Sequence, residues 1–109
     1  MSNDWEAVEQ LAIQQLDTTQ AKSPNGFFYL GVALYKIGSY TKAIRAFERC
    51  YELQPNNAQM HYNLGLAHFK DENYDLSVRH FKLCISNDKK HRYAYNNLAF
   101  IFNMHQHWV

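Results

Sequence analysis

Net charge is almost absent from this chain, and so are paired cysteines, long apolar runs and glycine-rich loops. Eleven basic residues face ten acidic ones, for a formal net charge of +1. That balance gives no electrostatic case for nucleic acid, an anionic membrane or a strongly charged partner. No apolar run approaches the roughly 20 residues needed to span a bilayer. The opening Met-Ser-Asn-Asp-Trp-Glu has neither the basic nor the apolar region of a signal peptide. Membrane insertion is therefore not expected, and a cytoplasmic location is. The two cysteines form no Cys-x-x-Cys, and with no secretory signal they are expected to be inert core thiols, not a disulfide or a metal pair. No glycine-rich phosphate loop and no recognisable nucleophile–base pair occurs. The chain is not expected to be an enzyme or to carry a cofactor.

What is present is a folding composition and a repeat. Hydrophobic residues make up 47% and charged residues 19%, values that suit a packed domain and not a disordered chain. At 109 residues there is room for one domain. The chain matches itself at a shift of 34 residues: Leu30-Gly31 recurs as Leu64-Gly65 and then as Leu98-Ala99. Tyr40 recurs as Tyr74 and Trp108, Arg45 as Arg79, Phe47 as Phe81, and Cys50 as Cys84. A fixed period of this size marks a solenoid, whose units bury their apolar faces by stacking on neighbours. Function is then sought on a surface.

The period divides the chain. Residues 4–17 read as a flanking amphipathic helix, with Asp4 as cap and Trp5, Val8, Leu11, Ala12 and Leu16 on one face. Residues 24–57 form the first unit. Ser23 can cap a helix whose first position is Pro24, and Phe27, Leu30, Gly31 and Leu34 share one face. Gly38-Ser39 breaks that helix. A second runs from near Tyr40, with Ala43, Ile44, Phe47, Cys50 and Tyr51 inward, and ends before Pro55. Asn57 can cap the next helix. Residues 58–91 repeat the plan around His61, Leu64, Gly65 and His68, a turn at Asp71-Glu72-Asn73, and then Tyr74, Ser77, Val78, Phe81, Cys84 and Ile85. Residues 92–109 supply the first helix of an incomplete third unit, with Tyr95, Leu98, Ala99 and Phe102 as its packing positions. The expectation is six helices and no strands.

Leu-Gly in the first helix, an aromatic opening the second, then alanine and phenylalanine, and proline at the end of the unit resemble the tetratricopeptide repeat. The first unit carries Leu30, Gly31, Leu34, Tyr40, Ala43, Phe47 and Pro55. The second keeps Leu64, Gly65, Tyr74 and Phe81 but has Ser77 for alanine and Lys89 for proline; the third keeps Leu98, Ala99 and Phe102. The resemblance covers residues 24–109 and is specific for fold, not for function. It implies an all-α, right-handed superhelix in which the first helices of successive units line a concave face. Gly31 and Gly65 each cost roughly 1 kcal/mol of helix propensity against alanine. They are expected where a neighbouring helix approaches too closely for a side chain.

Setting aside the packing positions leaves the groove candidates: Phe28, Tyr29, Val32 and Tyr35; Tyr62, Asn63, Leu66 and Phe69; Tyr93, Asn97 and Phe100. The clamp by which some members of the family grip acidic chaperone tails needs cations that Phe28, Val32, Tyr93 and Asn97 do not supply. Asn63 and Asn97 could instead bond the backbone of an extended peptide, since an amide both donates and accepts. The aromatic remainder suits a peptide or amphipathic helix, or packing by the protein's own helices. Among the histidines, His61 and His68 fall on packing positions, His105-Gln-His107 could chelate only weakly, and no His-x3-His or carboxylate-histidine pattern occurs; no metal is expected.

Trp5, Val8 and Leu11 at one end, with Ile101, Phe102 and Trp108 at the other, are candidates for self-association, because the last helix would leave the second set partly uncovered. The expected function is a protein–protein interaction module, of adaptor, scaffold or chaperone-like type. Its partner would be a protein or peptide, or another copy of the chain. The alternative is a structural self-assembly unit that oligomerises through its terminal helices.

Overall fold

The computed structural model describes residues 24–108, the last four by their backbone alone. Five helices follow one another: α1 (Pro24–Lys36), α2 (Tyr40–Leu53), α3 (Ala58–Lys70), α4 (Tyr74–Asn87) and α5 (Arg92–Trp108). The described residues contain no strand, and the fold is all-α. The sixth helix expected, over residues 4–17 with Trp5, Val8 and Leu11, lies outside the described residues, as does the Ser23 cap.

Local chemistry sets the boundaries. α1 opens on Pro24, where a missing N–H costs nothing. It closes on Gly38, whose φ of 86° lies in the left-handed region. There the Gly38 N–H donates to Tyr35 O at 3.0 Å and the Ser39 N–H to Leu34 O at 2.9 Å, satisfying the last carbonyls of the helix. The end of α3 repeats this closure one period later. Glu72 takes a φ of 63°, with Glu72 N–H on Phe69 O at 3.0 Å and Asn73 N–H on His68 O at 2.8 Å. α2 stops at Leu53, two residues before Pro55. Asn57 caps α3 by accepting the Met60 N–H on Oδ1 at 3.1 Å.

The described residues divide after Pro55 into two compact units. In the first, α1 and α2 pair around Leu30, Leu34, Ala43, Ile44, Phe47 and Cys50, all buried. In the second, α3 pairs with α4 around Met60, Leu64, Ala67, Phe81 and Cys84, and α5 packs on α4. Both helix pairs are closed by one device. A Cβ on Gly31 would stand 2.5 Å from Cε1 of Phe47, and one on Gly65 2.6 Å from Cε1 of Phe81. The glycines admit the two rings, as the sequence implied.

α5 agrees with expectation at Leu98 and departs from it elsewhere. Its inward side chains are Ala94, Leu98 and Ile101, which join Phe81 and Cys84 in one cluster. Tyr95, Ala99 and Phe102 face outward. The 34-residue register places Ala99 where Gly31 and Gly65 receive a following helix, but no described helix packs on that side of α5. The repeat partners of the three inward residues, Met60, Leu64 and Ala67, are buried in α3 as well. Ile101, expected to be partly uncovered, is fully buried.

Candidate functional site

In the second unit, α3 and α5 bring Tyr62, Phe69, Tyr93, Asn97 and Phe100 into contact. Tyr62 is the hub. Its ring meets Phe81 of the core at 5.8 Å, His91 at 4.7 Å and Tyr93 at 6.4 Å between centroids. Its Oη accepts a hydrogen bond from Asn97 Nδ2 at 3.4 Å. Burial raises the Tyr62 hydroxyl above its ordinary pKa of 10, against the opposing effect of the Asn97 bond. Phe69 and Phe100 meet edge to face at 5.9 Å, a favoured aromatic geometry. Tyr93 and Phe100 remain 65% and 58% exposed although both touch other rings. Tyr62, Leu66 and Phe69 are half-buried and rest on the core beneath. The result is an aromatic face whose floor is anchored and whose rim stands in solvent.

The two asparagines differ in what they can offer. Asn97 Nδ2 donates both to Tyr62 Oη and to the Tyr93 carbonyl, the latter at 2.8 Å, so its free capacity is the Oδ1 acceptor. Asn63 is half-buried and keeps its donors and acceptor uncommitted among the described residues. Beside this face, His91 Nδ1 accepts the Ala94 N–H at 3.2 Å and caps α5. Its Nε2 lies 3.4 Å from Gln59 Oε1. Sequence reasoning assigned no role to His91; its position three residues before Ala94, at the head of α5, was the available signal.

The first unit carries its own face on α1. Phe28 lies against Tyr29 at 5.8 Å and against Phe47 at 6.0 Å, and Tyr35 lies against Tyr40 at 5.4 Å. Phe28, Val32 and Tyr35 are half-buried, whereas Tyr29 is 69% exposed. Three of the four thus share their surface with the helix pair, and Tyr29 projects. Of the self-association candidates, Phe102 is exposed and Ile101 buried. Trp5, Val8, Leu11 and the side chain of Trp108 lie outside the described residues.

Polar chemistry in the core concentrates in the second unit. Ser77, which replaces the alanine of the first unit, donates its hydroxyl to Gly65 O at 2.7 Å. His61, His68 and His80 are all buried, and His61 Nδ1 lies 3.2 Å from His80 Nδ1. Burial first, then the proximity of His61, His68 and Arg79, hold His80 down to about 4 from the ordinary 6.5. The sequence reading placed His61 and His68 inside but gave His80 no place, although the register sets it opposite buried Ala46. Among the described residues no group of three or more His, Cys, Asp or Glu side chains is placed to hold a metal ion. Cys50 and Cys84 are free and buried. No helix among the described residues is long and apolar enough to cross a membrane.

Two family models match the chain: a TPR repeat over residues 31–71 and a tetratricopeptide repeat over residues 58–91. Together they span more than half of it. No curated protein matches closely enough to count as a relative. Among solved structures, a crystal structure of MamA is similar at a TM-score of 0.77 and 23% identity, over 79% of this chain and 50% of that one. MamA from AMB-1 aligns at a TM-score of 0.71 and 24% identity, over 82% of this chain and 48% of that one. The chain spans about half the length of the MamA structures it matches, and at this identity the likeness concerns the fold.

Proposed function

Because the chain belongs to the tetratricopeptide repeat family, we propose that it is a protein–protein interaction module that holds a peptide or amphipathic helix on the aromatic face of its second unit. The observation that carries this reading is the exposure of Tyr93 and Phe100 on a face whose other rings are anchored. Large side chains held rigid by neighbours and still open to solvent lose little conformational freedom when a partner covers them. The partner suited to this face carries apolar or aromatic side chains on one side, with Asn63 and the Asn97 acceptor free to meet its backbone. Tyr29 and Phe28 offer a further contact surface in the first unit. The reading is of a scaffold or adaptor without catalytic chemistry of its own.

The test uses peptides selected against the full chain from a random display library. Tyr93→Ala with Phe100→Ala removes two exposed rings, so the fold should be retained. The expected result is at least a tenfold loss of affinity for the selected peptides with an unchanged helical spectrum. Equal affinity for wild type and variant rejects this face as the site.

A second reading, self-assembly, is favoured by Phe102 and Tyr95, which are 46% and 47% exposed on α5. Sedimentation across a hundredfold concentration range separates the two. A monomer throughout removes self-assembly, and a dimer that Phe102→Ala dissolves supports it.

A further inference from the structure

We propose that His61, His68 and His80 form an acid-sensitive latch on the α3–α4 helix pair: neutral, the three rings close it, and protonation opens it. The first support is geometric. His61 and His80 meet Nδ1 to Nδ1 at 3.2 Å, with ring planes 21° apart and centroids 5.4 Å apart. Two ring nitrogens form a hydrogen bond only while one carries the proton and the other a lone pair. A proton on the accepting Nδ1 would set two donors face to face. His68 lies 5.5 Å from the same His80 ring with its plane 6° away, and its Nδ1 lies 3.4 Å from Asn73 Nδ2. That contact has the amide donating and the ring accepting, so it too needs an unprotonated nitrogen. The three side chains are only 1%, 4% and 7% exposed, and a charge formed there is cut off from the water that would stabilise it.

The second support is the internal repeat. One period earlier the same three places hold Phe27, Leu34 and Ala46. Leu34 and Ala46 are buried in the α1–α2 pair, which thus packs with no titratable side chain at any of the three. Histidine is not demanded by this architecture. In the second unit it replaces contacts indifferent to pH with contacts that depend on proton count.

His61 and His68 from α3 and Arg79 beside His80 on α4 each oppose its protonation. α5 turns Ala94, Leu98 and Ile101 toward Phe81 and Cys84, and its Arg92, Tyr93 and Tyr95 are exposed. His80 stays neutral down to about 4 in the folded chain and takes its proton near 6.5 in the unfolded one. Its contribution to stability is therefore complete above pH 6.5 and is lost as pH falls from 6.5 toward 4.

The test is urea unfolding of the full chain at pH 7.5 and pH 5.0, for wild type and for His61→Phe/His68→Leu/His80→Ala, which borrows the first unit's residues. The folding constant of wild type should fall roughly tenfold to thirtyfold between the two pH values. The variant should lose less than about threefold, since carboxylates shared by both proteins supply the remainder. Equal losses overturn the proposal. A measurement on wild type alone guards against a variant that packs poorly: the imidazole proton signals of His80, followed by NMR. A midpoint near 4, with α3 and α4 amide signals changing at the same step, supports the latch. A midpoint near 6.5 overturns it.

Discussion

The Phe81 ring lies so close to Gly65 that a Cβ built on the glycine would stand 2.6 Å from Cε1 of the ring. Phe81 is fully buried, so it has little room to withdraw. Gly65→Ala sets two effects against each other. Helix propensity improves by about 1 kcal/mol, while overpacking a filled core costs about 1–3 kcal/mol. The second is expected to win, with a net loss of about 1 kcal/mol read from the urea midpoint. Adding Phe81→Leu should restore part of it, because the smaller side chain yields. A raised midpoint for the single variant would show that the ring moves freely.

Glu72 occupies the backbone conformation that Gly38 holds one period earlier, with φ values of 63° and 86°. For a residue with a Cβ this region costs about 1–2 kcal/mol, whereas glycine enters it freely but gains freedom when unfolded. Glu72→Gly is therefore expected to stabilise the chain by up to about 1 kcal/mol. Gly38→Glu should lose a comparable amount. Thermal melts of the two variants check the sign, and a destabilised Glu72→Gly would show that the glutamate side chain holds the turn.

These two positions also show where sequence is informative. The 34-residue register located the glycines because the repeat imposes one helix contact twice, and the Phe47 and Phe81 rings fill both. Asn57 was legible as a cap because capping is local chemistry between near neighbours. The inward face of α5 was legible at Leu98 alone: Ala94 and Ile101 share the register of Met60 and Ala67, which are buried in α3, but a register reports burial only once the packing of one copy is known. His80 was passed over because its repeat partner is Ala46, a small residue not read as inward, whereas His61 and His68 align with Phe27 and Leu34. The aromatic face was half legible. Its members could be named, but that Asn97 would spend its donors on Tyr62 and Tyr93 depends on distances across two helices.

Burial pushes the Cys84 thiol up to about 11, with a further rise from Asp88, and raises Cys50 as well. Both are 1% exposed or less. Alkylation needs the thiolate and access to it, and the folded chain withholds both. At pH 8, labelling by iodoacetamide is expected to be at least about a hundredfold slower in the native chain than in denaturant, where both cysteines should react. Rapid native labelling of Cys84 would indicate that the α4–α5 contact opens readily.

Phe81 and Phe100 are the same residue type in the same unit with opposite exposure, 0% and 58%. The core ring should cost about 3–5 kcal/mol when truncated to alanine, from lost burial and the cavity left behind. The rim ring, already mostly in water, should cost less than about 1 kcal/mol, chiefly its edge-to-face contact with Phe69. Paired urea titrations of Phe81→Ala and Phe100→Ala measure the contrast. If Phe100→Ala destabilised as much as Phe81→Ala, the α5 aromatics would be structural, and their exposure would no longer argue for a partner. A small stability loss joined to a large affinity loss is the combination that only a binding face produces.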